Sequence, residues 1–190
     1  MTPQADTSDG DLAAQAAAGD ERAFTGLMRR HKGALYRFVR RYVGESDEAY
    51  DLVQETFTSA WGALKRYDRN RPFAAWLRTI ALNKCRDWSR RRGLRSWLVR
   101  SERLDGSSGL ELPDLGRSPE DQTSDRQEMQ RLDNAIAALP GGLKEPLILT
   151  VFEGLDQVET GKVLNMSAKA VEVRVYRAKK ALAAALSIAD

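Results

Sequence analysis

The stretch from Asn70 to Arg92, NRPFAAWLRTIALNKCRDWSRRR, combines aromatic rings and amide side chains with a run of arginines. Unstacked nucleic acid bases need a flat π surface to lie against, and the phosphates of the strand need positive charge. A buried core would require the rings without the arginines, and a simple basic tail would require the arginines without the rings. The combination is typical of a surface that holds a single nucleic acid strand.

The helix predicted from Pro72 onward separates two kinds of side chain. The apolar ones keep helical spacing and are expected in the core: Phe73, Trp76, Leu77, Ile80 and Ala81. A second stripe is uncharged at its start and cationic at its end, which suits contact with bases and phosphates: Thr79, Asn83, Arg86 and Arg90. The preceding loop adds four cations and one ring: Lys65, Arg66, Tyr67, Arg69 and Arg71. Tyr67, rather than Trp76, is the ring that we expect to stack on a base.

Catalysis has few candidate residues. His31 is the only histidine, and in RRHKG it is expected at the surface or as a helix cap. Cys85 is the only cysteine; the neighbouring Lys84 and Arg86 would lower its thiol pKa, but a packed thiol is the preferred interpretation. One cysteine excludes both a disulfide framework and a clustered thiolate zinc site. The acids supply no plausible set of metal ligands, so we expect no catalytic residue, no metal and no cofactor.

Charge is distributed unevenly along the 190 residues, although the net charge is only +3. Thirteen lysines and arginines lie between Lys65 and Arg103, against three acids. The segment just before them, GESDEAYDLVQE, has five acids and no base. A basic block of this kind is expected of a nucleic-acid-binding surface, and a solvated charged face is the alternative.

The helix predicted from Ser46 to about Leu64 carries the acidic segment on one face. Its core stripe is apolar: Val53, Phe57, Ala60, Trp61 and Leu64. A different face carries acids, an amide and a hydroxyl: Asp51, Gln54, Glu55 and Thr58. This face repels phosphate and cannot itself favour DNA. It either meets a basic protein partner or only keeps the domain solvated, and the residues alone leave both open.

Helical periodicity dominates the chain, and no strict alternation argues for a sheet. We predict two helices divided near Gly19, and Gly44 as a stop signal after the second. Between about Ser96 and Asp125, a segment rich in Gly, Ser, Pro and acids indicates a linker, and helices resume from Arg126. The expected fold is all-α, with two small helical domains joined by a flexible acidic connection.

No apolar run approaches the roughly 18 residues of a membrane span. The first ten residues, MTPQADTSDG, lack the basic and apolar parts of a signal sequence. We therefore expect a cytoplasmic protein without direct membrane insertion.

The segment EGLDQVETGKVLNMSAKAVEVRVYRAKKAL has the form of a helix-turn-helix. Asp156 and Glu159 form a capping box at the first helix, Asn165 tolerates the left-handed backbone of the turn, and Ser167 caps the second helix. That second helix has an apolar stripe for its scaffold: Val171, Val175, Ala178 and Leu182. Its opposite side suits the major groove: Lys169, Val173, Tyr176, Arg177 and Lys180. An amphipathic hairpin with a basic face is the alternative.

The strings DEAYDLVQETFTSAW and RPFAAWLRTIALNKCRDWSRRR resemble region two of bacterial RNA polymerase sigma factors, most closely the extracytoplasmic-function (ECF) group of the sigma-70 family. The helix-turn-helix resembles region four of that group. The likeness spans residues 10–95 and 126–186. The second string is also similar to the corresponding sequence of members tied to metal-stress responses. It implies region two at 10–95, a flexible acidic linker at 96–125, and region four at 126–188.

This resemblance implies a transcription initiation factor rather than an enzyme. Five residues would bind the β′ clamp of core RNA polymerase: Asp47, Asp51, Gln54, Glu55 and Thr58. Seven would capture a flipped base and the strand of the promoter −10 element: Arg66, Tyr67, Arg71, Thr79, Asn83, Arg86 and Arg90. Region four, which would also meet the β flap, would read the −35 duplex with five residues: Lys169, Glu172, Val173, Tyr176 and Arg177. The group also implies an anti-sigma factor as partner.

Two positions depart from the family pattern. Glu172 stands where the family often has Lys or Arg, so that one DNA contact is altered or replaced by acceptance from cytosine. Gly161 stands where alanine is usual and is expected to weaken its helix by up to about 1 kcal/mol. Two rival functions remain at this point: a helix-turn-helix repressor or activator that binds duplex alone, and an enzyme acting on nucleic acid.

Overall fold

The computed structural model describes residues 7–102 and 124–187, with side chains at 7–93 and 127–187. Within these ranges the chain is helical, with no strand, and the expected all-α class is confirmed. Eight α-helices follow in order: α1 Asp9–Ala17, α2 Glu21–Val43, α3 Ser46–Ala63, α4 Phe73–Glu102, α5 Ser124–Ala138, α6 Gly141–Leu147, α7 Gln157–Leu164 and α8 Ala168–Ser187. A 3₁₀ turn at Leu64–Arg66 follows α3, and a π-helical turn at Ile148–Phe152 follows α6.

The helices form two compact units. The first contains α1, α3 and the parts of α2 and α4 up to Arg40 and Lys84. The second contains residues 41–45, the rest of α4 from Cys85, and the helices α5–α8. The last turn of α2 and the second half of α4 therefore group with the C-terminal helices. The predicted domain bounds of 10–95, 96–125 and 126–188 describe sequence regions and stay a prediction.

The first unit is built on apolar stripes of its four helical segments. Asp20 caps α2 by accepting from the backbone N–H groups of Arg22 and Ala23, at 2.8 and 3.2 Å. The rings of Phe24 and Phe57 pack edge to face with centroids 6.3 Å apart. The central side chains of this core are almost fully inaccessible: Leu27, Phe38, Val39, Leu52, Val53, Phe73, Leu77 and Ala81.

The predicted helix boundaries in the first half of the chain are confirmed. Gly19 separates α1 from α2, and Gly44 ends α2 with φ of 86°, a conformation that favours glycine. Pro72 lies immediately before α4, where its carbonyl accepts from the N–H groups of Ala75 and Trp76 at 3.0 and 3.2 Å. Proline thus starts the helix without needing an N–H of its own.

The connection between the two predicted domains begins later than the composition suggested. Helix α4 continues to Glu102, seven residues into the predicted linker, and α5 begins at Ser124. The arginines and leucines around Arg95 favour continued helix, and the glycines and serines that indicated a linker come only after them. The rest of the predicted linker, 103–123, lies outside the described residues.

The helix-turn-helix is formed as predicted. The Asp156 carboxylate accepts from the Glu159 N–H at 2.7 Å, and the Glu159 carboxylate accepts from the Asp156 N–H at 3.0 Å. Asn165 ends α7 in the left-handed region, with φ of 54°. Ser167 accepts from the Ala170 N–H at 3.2 Å and so caps α8. The scaffold side of α8 is buried at Val171, Ala178 and Leu182 and half-buried at Val175.

Candidate polymerase and nucleic-acid interfaces

The acidic face of α3 is open to solvent. All five residues of the predicted polymerase-binding set are exposed: Asp47, Asp51, Gln54, Glu55 and Thr58. The Thr58 hydroxyl donates to the Gln54 carbonyl at 3.0 Å, as hydroxyls on helices often do. Glu55 lies 3.7 Å from the Lys84 ammonium, and Asp51 has no ion pair within the described residues. The face thus presents carboxylates to solvent.

Trp61 differs from the expectation that it belongs to the core stripe. Its ring packs against Phe24 at a centroid distance of 4.9 Å, but 39% of the residue is exposed. The position lies at the margin of the buried stripe of α3, where the ring contacts the core and keeps part of its surface in solvent. The neighbouring expectations for Val53, Phe57 and Ala60 are confirmed, since all three are buried.

The loop before α4 holds its tyrosine more tightly than expected. The Tyr67 hydroxyl donates to the Arg71 carbonyl at 2.6 Å, which closes the loop on itself. The Tyr67 ring lies 5.5 Å from Phe73 and 5.0 Å from Trp76, so these rings form one cluster. Burial raises the pKa of Tyr67, and the carboxylates of Asp9 and Asp68 raise it further. Tyr67 is half-buried, so base stacking on it remains a prediction for its accessible part only.

The polar stripe of α4 is exposed at three of its four predicted positions. Thr79, Asn83 and Arg90 are open to solvent, as are Arg66 and Arg71 in the preceding loop and turn. The Thr79 hydroxyl donates to the Ala75 carbonyl at 3.0 Å. Arg90 pairs with Asp87 one turn earlier on the same helix.

Arg86 is the exception on this stripe, because it is bound by a carboxylate from α6. Its Nε and one terminal nitrogen donate to the two oxygens of Glu145 at 2.9 and 2.6 Å. The Tyr42 hydroxyl of α2 donates to the same carboxylate at 3.1 Å. The hydrogen bonds that Arg86 donates to Glu145 raise the pKa of the guanidinium, against the effect of burial. Burial chiefly, and the charge of Glu145, raise the pKa of Tyr42.

The residue of α6 that precedes Glu145, Lys144, is buried, with 5% of its surface exposed. Its ammonium donates to the backbone carbonyls of Tyr42 and Ala137 at 3.0 and 2.5 Å. It also lies 4.7 Å from the centre of the Tyr42 ring. The pKa of Lys144 is lowered to about 8, chiefly by burial; Cys85 and Glu145 oppose this shift, and the Arg92 charge adds a smaller lowering effect.

Sequence reasoning missed Tyr42, Lys144 and Glu145. Glu145 lies 59 residues from Arg86 along the chain, and no local spacing links the two. The one available signal was a Lys-Glu pair directly before the apolar run PLILTVF, where charged side chains are unusual unless they are partnered.

The predicted reading face of α8 is exposed throughout: Lys169, Glu172, Val173, Tyr176 and Arg177. Tyr176 has 69% of its surface open to solvent. Lys169 and Glu172 form an ion pair at 2.8 Å one turn apart. The altered position at Glu172 is thus balanced by a cation on the same face.

Of the two residues considered for catalysis, one is half-buried and the other is fully buried. His31 is half-buried rather than at the surface: its Nε2 lies 2.7 Å from an Asp9 carboxylate oxygen, and its ring lies 5.2 Å from Phe73. Cys85 is fully buried, and this burial raises the pKa of its thiol, in contrast to the lowering that its charged neighbours suggested. Within the described ranges, no group of three His, Cys, Asp or Glu residues could hold a metal ion. The helices there are too short or too polar to cross a membrane.

Comparison with known proteins agrees with this arrangement. Residues 27–95 match the family Sigma-70 region 2, and residues 129–182 match Sigma-70, region 4. The chain is 40% identical over 189 residues to the RNA polymerase sigma factor CnrH of Cupriavidus metallidurans, covering 98% of this chain and 97% of the relative. It is 28% identical to the ECF RNA polymerase sigma factor SigW of Bacillus subtilis, covering 88% of this chain and 91% of that one.

A solved structure of CnrH in complex with the cytosolic domain of CnrY is also similar. It shares 35% sequence identity with this chain at a TM-score of 0.67, and the match covers 96% of this chain and 99% of that one. The resemblance drawn from the sequence is thereby confirmed. The chain belongs to the ECF group of the sigma-70 family of bacterial RNA polymerase sigma factors.

Proposed function

We propose that the chain acts in the cytoplasm as a dissociable initiation subunit without catalytic activity of its own. It binds core RNA polymerase, directs it to specific promoters and stabilises the opened −10 strand. One observation carries the proposal: the acidic face of α3 and the cationic faces of α4 and α8 are presented to solvent on a single chain. A repressor that binds duplex alone would need neither the acidic face of α3 nor the cationic face of α4.

Polymerase binding is assigned to the acidic face of α3. Its exposed carboxylates at Asp51 and Glu55 suit the basic coiled coil of the β′ clamp, which the family resemblance implies as partner. Asp47, Gln54 and Thr58 extend the same face. Region four is proposed to meet the β flap.

Promoter binding is divided between the two regions. Arg66, Tyr67 and Arg71 are proposed to take a flipped base and its phosphates at the −10 element, together with the α4 stripe: Thr79, Asn83, Arg86 and Arg90. Each unstacked base costs a few kcal/mol, which the ring and cation contacts must offset. The exposed face of α8 is proposed to read the −35 duplex from the major groove.

An anti-sigma factor is proposed as the regulatory partner. Members of the ECF group are commonly held by such proteins, and the similar sigma factor CnrH is found in complex with the cytosolic domain of CnrY. The expected result is that a pull-down from the native cell recovers a further protein besides polymerase subunits. Recovery of polymerase subunits alone would contradict this part of the proposal.

The test of the main proposal is run-off transcription with core RNA polymerase. The template is DNA from upstream of the gene that encodes this protein. Wild type is expected to give a discrete start site, and Asp51→Lys with Glu55→Lys to abolish it by repelling the basic clamp. Glu128→Lys, an exposed reversal on α5, serves as control and should leave the start unchanged. A footprint by the protein alone, without any polymerase-dependent start, would favour a repressor instead.

A further inference from the structure

The carboxylate of Glu145 brings together three helices of the second unit. It accepts two hydrogen bonds from Arg86 of α4 and one from the Tyr42 hydroxyl of α2. The Glu145 side chain is only 12% exposed, and Tyr42 is buried. A carboxylate in such a setting is held firmly, because leaving it without these donors would cost the penalty of a buried unpaired charge.

Contacts around this carboxylate tie α5 and α6 to the end of α2. Lys144 donates to the Tyr42 and Ala137 carbonyls, and a Cβ added at Gly44 would lie 2.7 Å from the Ala137 Cβ. Arg41 lies 4.3 Å over the Phe152 ring. The Glu145 contact is therefore one part of a close-packed junction rather than a lone surface ion pair.

The geometry at Arg86 is the one by which arginine binds a phosphate. Two parallel N–H groups of a guanidinium, one of them Nε–H, meet two oxygens of one anion, as in fork-like recognition of carboxylate or phosphate. Arg86 lies seven residues after Thr79 and four before Arg90 on the stripe assigned to the −10 strand. One anion occupies that side of the guanidinium at a time, so Glu145 and a DNA phosphate compete for it.

We propose that Glu145 is an internal latch: it stands in for a promoter phosphate on Arg86 and holds α6 against α2 and α4, which restrains −10 strand binding by the free protein. This inference rests on the proposed function, since it requires the α4 stripe to bind DNA. When the protein binds polymerase and promoter, a phosphate of the DNA strand then has to replace the Glu145 carboxylate on Arg86.

The reactivity of the buried Cys85 thiol can be used to measure how often the latch opens. Cys85 is the single cysteine of the chain and has none of its surface exposed, and the charges of Lys144 and Glu145 on α6 both affect the pKa of its thiol. Its rate of reaction with a thiol reagent under native conditions therefore reports how often α6 moves away. Glu145→Gln is expected to raise this rate about tenfold, equivalent to about 1.4 kcal/mol. Glu128→Gln, with the same charge change at an exposed site on α5, should leave it unchanged.

The second measurement is binding of a single-stranded oligonucleotide with the −10 sequence found by run-off transcription. Glu145→Gln is expected to bind more tightly than wild type, up to the factor by which opening increases, because the competent state becomes more populated. Glu128→Gln controls for the general gain in attraction to phosphate. Tyr42→Phe removes one bond to the carboxylate and keeps the ring, so it should give a smaller change in the same direction if Glu145→Gln folds poorly.

Three outcomes would overturn the inference: an unchanged Cys85 rate in Glu145→Gln and Tyr42→Phe, a faster rate without tighter strand binding, or an equal gain in Glu128→Gln. Failure of the proposed function looks different. In that case wild type gives no start site with core polymerase and no variant binds the strand, which rejects both ideas together.

Discussion

The two cationic faces of this protein differ in what holds them. The proposed reading face of α8 is formed by that helix and supported by its scaffold, and all five predicted DNA-contacting residues are open to solvent. The stripe on α4 is interrupted at Arg86 by a carboxylate that is distant in sequence. Spacing along one helix predicts which side chains share a face, but not whether another part of the chain already occupies it.

The largest expected effect concerns the support of the α8 face. A Cβ at Gly161 would lie 2.5 Å from the Met166 carbonyl oxygen, which belongs to the backbone of the turn and cannot move freely. Gly161→Ala is therefore expected to lower the free energy of unfolding by about 2 kcal/mol, although alanine is the better helix former. Chemical denaturation checks this prediction.

Gly62 of α3 gives the matched control for that substitution. A Cβ there meets nothing within 4 Å, so Gly62→Ala should stabilise by up to about 1 kcal/mol through helix propensity. Equal stabilisation by both alanines would show that the close approach at Gly161 is not maintained in solution. The family expectation that glycine merely weakens α7 would then stand.

A pair of arginine substitutions sharpens the comparison of the two faces. Arg86→Ala should lower the free energy of unfolding by about 1.5 kcal/mol, because Glu145 loses two of its three hydrogen bonds. Arg177→Ala should leave stability unchanged and weaken −35 duplex binding about tenfold. Thermal or denaturant unfolding and duplex titration measure the two quantities. Equal stability losses would contradict the difference between the faces.

The smallest expected effect is a pH dependence from Lys144. Burial lowers its pKa to about 8 from the ordinary 10.5, so between these values the unfolded chain holds a proton that the folded chain has released. Raising the pH through this window therefore stabilises the fold, by about 1 kcal/mol between pH 7 and pH 9. Cys85 and Tyr42, whose pKa values are raised, act in the opposite direction above pH 9 and pH 10.

Lys144→Met isolates this contribution because it removes the titrating group while Cys85, Tyr42, Glu145 and Arg92 remain. The free energy of unfolding of wild type minus that of the variant should rise from pH 7 to pH 9. A difference that is flat with pH would mean that the Lys144 ammonium is better hydrated than its burial implies.

The features that the sequence predicts well are those determined by residues close together along the chain. The capping box at Asp156, the left-handed Asn165 and the Ser167 cap depend on contacts within a few residues, and all three are confirmed. The surroundings of Trp61 and Arg86 depend on tertiary packing. The partial exposure of Trp61 and the contact of Arg86 with Glu145 of α6 cannot be predicted from the spacing of residues along α3 or α4.

The ion pair between Lys169 and Glu172 has a consequence for the ion atmosphere of the promoter. A cation releases condensed counterions from DNA only to the extent that it neutralises a phosphate. Lys169 already lies 2.8 Å from a carboxylate oxygen on the same face. If this face reads DNA as proposed, it is therefore expected to displace fewer ions than its lysines and arginines suggest, and its affinity for DNA is expected to depend less on salt than a count of basic residues implies.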